Sequence, residues 1–110
     1  MISTHVLDLM TGKPASGVRV TLARLDDTGW TVVGKAVTNR DGRVKAVNSA
    51  RRLKAGIYEL NFETGAYFKR KRVKCFHPWV TITLDVRDAS DDYHVPLLLS
   101  PFGYSTYRGS

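Results

Sequence analysis

His5, Arg43 and His94 are the side chains of this sequence whose types suit proton transfer and anion binding. An imidazole titrates close to neutral pH, so either histidine could take a proton from water as a general base. Arg43 carries a fixed guanidinium that could grip an anionic substrate or steady negative charge developing on a carbonyl oxygen. Each also has an ordinary reading. Both histidines could simply face solvent, and Arg43 could decorate a hairpin just after the Asp41-Gly42 turn. His77, immediately before Pro78, reads as a loop residue.

Other chemistries find little support. There is no paired-cysteine metal motif, no glycine-rich phosphate loop and no H-E-x-x-H. Gly103-Tyr104-Ser105-Thr106-Tyr107 approaches a nucleophile elbow but lacks the closing glycine and sits in a strand-like context. Serine-hydrolase chemistry is therefore not expected. Asp26-Asp27 and Asp91-Asp92 fall in turns without a catalytic partner. Lys69-Arg70-Lys71-Arg72 with Lys74 reads as a solvated helix face; phosphate contact is the functional alternative, but no nucleic-acid module accompanies it. Trp30, Trp79 and most Tyr and Phe residues read as core or interface.

The elements that must hold these residues follow a period of two. Val18, Val20 and Leu22 alternate with Arg19, Thr21 and Ala23, and Val80, Ile82, Leu84 and Val86 with Thr81, Thr83 and Asp85. Tyr58, Leu60 and Phe62 share a face, as do Tyr93, Val95, Leu97 and Leu99, which turns His94 to the opposite side. His5 likewise points away from Val6 on the first strand. Turn chemistry at residues 11–14, 26–29, 39–42 and 54–56 separates the runs. Short strands with frequent turns predict an antiparallel β-sandwich. The exception is a short helix near residues 65–72, with Thr64 as its cap and Tyr67, Lys71 and Lys74 at helical spacing.

A length of 110 residues suits one domain, 1–110, with a small core that oligomerisation would extend. Hydrophobic residues make up 43% and charged residues 25%, too apolar for disorder. The net charge of +7 favours anionic partners, from nucleic acid to a small acidic substrate, without choosing among them. Cys75 alone cannot form an internal disulfide and fits a reducing compartment. No apolar run has the length of a membrane span, and the first residues lack the pattern of a secretory signal. A cytoplasmic location is expected.

Specific stretches go further. Tyr93-His94-Val95-Pro96-Leu97-Leu98-Leu99-Ser100-Pro101 and Tyr104-Ser105-Thr106-Tyr107-Arg108-Gly109-Ser110 closely resemble the 5-hydroxyisourate hydrolase family, also described as transthyretin-related. So do His5-Val6-Leu7-Asp8, Thr11-Gly12-Lys13-Pro14-Ala15 with Gly17-Val18, and Asp41-Gly42-Arg43, in the same order along nearly the whole chain. The resemblance implies an all-β, transthyretin-like (prealbumin-like) sandwich of two four-stranded sheets with one short helix. It also implies a homotetramer with active sites at the dimer–dimer interface, where final residues of neighbouring subunits form the pocket.

The implied reaction is hydrolysis of 5-hydroxyisourate, a product of urate oxidation, to a ureidoimidazoline carboxylate, with no cofactor. Carried over by motif, His5, Arg43 and His94 are catalytic, while Tyr107, Arg108, Gly109 and Ser110 shape the substrate site. One histidine would draw a proton from the attacking water and the other would orient that water or assist ring opening; which is which stays open. Asp92 stands where members of the family often have histidine, so zinc binding through that imidazole is not implied. The alternative is a transthyretin-like carrier of a small aromatic ligand in the tetramer channel. Carriers of that branch replace the catalytic side chains and the Y-R-G-S ending, both kept here. Neither nucleic acid nor membrane is an implied partner.

Overall fold

Alternating apolar side chains sort the chain into two sheets that close on one another. A computed structural model describes residues 1–49 and 52–110. Its strands are β1 (Ile2–Asp8), β2 (Lys13–Pro14), β3 (Arg19–Asp26), β4 (Gly29–Val37), β5 (Arg43–Val44), β6 (Gly56–Phe62), β7 (Val80–Val86), β8 (Tyr93–Ser100) and β9 (Gly103–Thr106). One helix, α1 (Thr64–Arg70), lies between β6 and β7. The first sheet runs β4-β3-β6-β7; the second runs β2-β1-β8-β9, with β5 added on β1 as a fifth, two-residue strand.

The expected core faces pack between the sheets. Ile2 and Val6 of β1, Val20 and Leu22 of β3, Leu60 and Phe62 of β6, and Leu97 and Leu99 of β8 are all buried in one cluster. Each such side chain contributes about 1.5–3 kcal/mol by leaving water. Trp30 and Trp79, expected in core or interface, stand 45% and 61% exposed on the protomer.

One pairing departs from the antiparallel expectation. β1 and β8 run parallel, from Ile2↔Tyr93 through Ser3↔His94 and His5↔Pro96 to Asp8↔Leu99. Ile2, Val6, Tyr93, Val95, Leu97 and Leu99 point inward from the two strands, and parallel registry turns the opposite faces, with Ser3, His5, Leu7, His94, Pro96 and Leu98, outward together.

The helix also differs in detail from expectation. Thr64 is its first residue rather than its cap, because the Thr64 hydroxyl donates to the His77 carbonyl at 3.0 Å. The helix stops at Arg70, two residues early, since Arg72 takes a left-handed φ of 58° that turns the chain out of helical geometry. Buried Tyr67 donates its hydroxyl to Asp8 at 2.8 Å, tying α1 to the end of β1. Burial and the Asp8 carboxyl push the Tyr67 phenol well above its usual range. The Lys69–Arg72 run is exposed, but only Lys69 and Arg70 lie on the helix; Lys71 and Arg72 follow its end, which corrects the helix-face reading for those two.

Candidate active site

The outward face of β1 and β8 gathers residues from the two ends of the sequence. Parallel pairing sets Ser3 beside His94 and His5 beside Pro96. On the other side of β1, β5 sets Arg43 opposite His5. Arg43 arrives there by a turn with little freedom. The Asn39 side-chain oxygen accepts from the backbone N–H of Asp41 at 2.9 Å and of Arg43 at 3.0 Å. Gly42 follows with φ +73°, and its carbonyl accepts from Val6 N–H at 2.7 Å. A Cβ at Gly42 would collide with the Val6 carbonyl, so the Asp41-Gly42-Arg43 stretch needs its glycine to reach β1.

The end of β9 and the residues after it fold back over the same wall. Thr106 donates its hydroxyl to the Pro96 carbonyl at 2.7 Å, and Gly109 N–H donates to the His94 carbonyl at 2.7 Å. Gly109 lies close against the imidazole: a Cβ there would sit 2.5 Å from His94 Cδ2 and 3.2 Å from Pro96 Cγ. No larger residue fits without displacing the ring. A hollow of about 410 Å³ results, lined by His5, Arg43, His94, Tyr107, Gly109 and Ser110, with Leu7, Pro96 and Leu98 as its apolar surface. Six of the seven residues singled out in the sequence thus line one hollow.

Arg108 borders an adjoining opening instead, which it lines together with Arg43, His94, Asp92 and Ser110. Its guanidinium lies 4.6 Å over the Tyr93 ring, donates to the Asp92 carbonyl at 3.4 Å and comes within 3.8 Å of the Asp91 carboxylate. His77 is remote from the hollow, packed edge-on between Phe76 and Tyr104 with ring centroids 5.0 and 5.2 Å away.

Electrostatics single out one histidine. Burial pushes the His94 imidazole below its usual range, and the charges of Arg43 and His5 push it further the same way. Such a ring is neutral at neutral pH and able to accept a proton. Its Nδ1 lies 2.9 Å from Ser3 Oγ. Ser3 was not among the residues read from the sequence. Alternation along β1 puts it on the face of His5, but its contact with His94 depends on a pairing across 91 positions. Among the described residues, no cluster of three or more His, Cys, Asp and Glu side chains is arranged to hold a metal ion.

Comparison with known proteins bears on both architecture and site. The HIUase/Transthyretin family pattern matches residues 2–109. The chain belongs to that family. A 5-hydroxyisourate hydrolase of Deinococcus radiodurans is 49% identical over 113 aligned positions, covering 99% of this chain and 95% of the relative. The solved 5-hydroxyisourate hydrolase of Klebsiella pneumoniae is 41% identical with a TM-score of 0.85, covering 99% and 98% of the two chains. Sea bream transthyretin in complex with thyroxine superposes at a TM-score of 0.91 but is only 28% identical, covering 98% and 93%. Backbone shape is shared across the family and does not separate hydrolase from carrier. The side chains must do so.

Proposed function

We propose that this chain hydrolyses 5-hydroxyisourate as one 110-residue domain, in the hollow bounded by His5, Arg43 and His94. The observation that carries this reading is that His94, Arg43 and His5 line one hollow, where burial and the two neighbouring charges favour the neutral form of the His94 imidazole. Identity of 49% and 41% to hydrolases supports it against the carrier reading, whose main support is the transthyretin superposition at 28% identity.

In this mechanism His94 takes a proton from water, whose oxygen attacks the ring amide carbonyl. Arg43 holds the anionic substrate and meets the negative charge growing on the carbonyl oxygen. His5, on β1 opposite Arg43 of β5, orients the water or supplies a proton to the departing nitrogen. The C–N bond breaks, the carbonyl carbon keeps the hydroxyl oxygen, and the nitrogen gains a proton. Gly109 keeps the imidazole from turning, and Tyr107 and Ser110 border the substrate.

The hollow is open on one protomer, and Tyr107 on its lining is 57% exposed, as is Phe102 at 72% in the turn between β8 and β9. A homotetramer, with the hollow at the junction of two dimers, would cover such residues and close the site. The reading places the protein in the cytoplasm, acting on a small anion without cofactor, nucleic acid or membrane. The test is direct: 5-hydroxyisourate made by urate oxidase is followed by its ultraviolet decay with and without the protein. Strong acceleration is expected. Stoichiometric binding of the compound without turnover would favour the carrier. Light scattering should give a mass near four times the 12.3 kDa chain.

A further inference from the structure

The partner of His94 on β1 is a hydroxyl, and its chemistry differs from that of a carboxylate. Ser3 Oγ and His94 Nδ1 are 2.9 Å apart, and the two residues are register partners whose side chains leave the sheet on one face. Among the described residues Ser3 is the hydrogen-bond partner of the ring, and Gly109 crowds the ring at Cδ2. With Nδ1 engaged, Nε2 is the nitrogen left to meet a ligand.

We propose that Ser3 is a positioning residue for the reaction, its Oγ accepting a hydrogen bond from the Nδ1–H of neutral His94 and so leaving the lone pair on Nε2. The inference rests on the catalytic reading of His94 given above. A neutral imidazole carries one N–H, and the bond made at one nitrogen sets the state of the other. When Nε2 takes a proton from water, Nδ1–H keeps the same bond to Ser3, and the ring need not move. A hydroxyl orients the ring without adding the negative charge that would stabilise its protonated form. The charged groups around the ring are His5 on β1, Arg43 on β5, and Asp92, Arg108 and the Met1 amino group at the outer opening. Ser3 leaves that balance untouched.

The proposal is tested by Ser3→Ala, Ser3→Thr and Ser3→Asp, with turnover of 5-hydroxyisourate and ring nitrogen NMR measured on each folded protein. In the parent, the ring spectrum should show hydrogen on Nδ1. Ser3→Ala should lower kcat about three- to tenfold, the scale of one neutral hydrogen bond, with KM changed less than about twofold. Its ring should show a mixture of both tautomers. Ser3→Thr should restore kcat and the parental spectrum. Ser3→Asp should move the acid limb of the pH–rate profile upward by about one pH unit. Hydrogen on Nε2 in the parent would overturn the proposal, as would a Ser3→Ala protein with parental kcat and unchanged tautomer. The ring spectrum is read without substrate, so the two failures are distinguishable: an inactive parent with hydrogen on Nδ1 would sink the catalytic reading and Ser3's role in it while the Ser3–His94 bond stood, whereas an active parent with hydrogen on Nε2 would overturn this proposal alone.

Discussion

His94, within β8, and His77, in the loop before β7, both have aromatic or apolar neighbours, yet their surroundings prepare them for different work. His77 lies between the rings of Phe76 and Tyr104, edge to face. His94 has a hydroxyl at Nδ1, a glycine pressed on its ring and a guanidinium across the hollow. The first arrangement packs an imidazole as a flat apolar body. The second orients the ring and lowers its pKa, favouring the neutral form. Residue type alone gives neither result; reactivity here comes from strand register and from what folds back over the ring.

Substitutions can break this contrast. His94→Ala and Arg43→Ala should bring 5-hydroxyisourate decay close to background, a loss of roughly 10²–10⁴-fold, whereas His77→Ala should keep most of the parental rate. A His77→Ala loss equal to that of His94→Ala would erase the distinction. Gly109→Ala comes next. Its methyl must displace the imidazole, and misplacing a catalytic group by about 1 Å can cost 10²-fold, so kcat should fall on that order while circular dichroism stays unchanged.

Two smaller effects sharpen the same comparison. Tyr67→Phe removes the donor from buried Asp8, and should cost about 1–3 kcal/mol, read as a lower urea midpoint at constant slope. Turnover per folded molecule should hardly change, because that buried pair braces rather than reacts. The smallest effect is in pH. His94 titrates below its ordinary value, about 6.5 for a free imidazole, so the acid limb should lie below that value too. Protonation at lower pH removes the acceptor. Arg43→Gln deletes a repelling charge and should raise the His94 midpoint in an NMR titration; a fall would contradict the assigned cause.

Much of the sandwich was legible in the sequence because period-two alternation is a local signal. Tyr58, Leu60 and Phe62, or Tyr93, Val95 and Leu97, announce a buried face without reference to any partner strand. The helix was legible in place but not in its ends. Thr64 found a better acceptor in the His77 carbonyl, and Arg72 adopted a conformation usually left to glycine. Individual histidines suggested chemistry, yet their union did not follow from spacing. It required the parallel pairing of β1 with β8, a contact between distant segments that no local pattern encodes. The family resemblance supplied His5, Arg43 and His94 as a set, and Ser3 became visible only with the register.

β1 is gripped on every side: by β8 along its whole length, by β2 and β5 on its other edge, and by the helix through Asp8. Losing a single amino acid between the Asp8 anchor and His5 would turn the strand half over. Val6 would meet water and His5 would enter the oil-like interior. Lineages carrying this scaffold can therefore lengthen the exposed hairpin tip at 26–29 far more freely than they can add or drop one position in the opening strand.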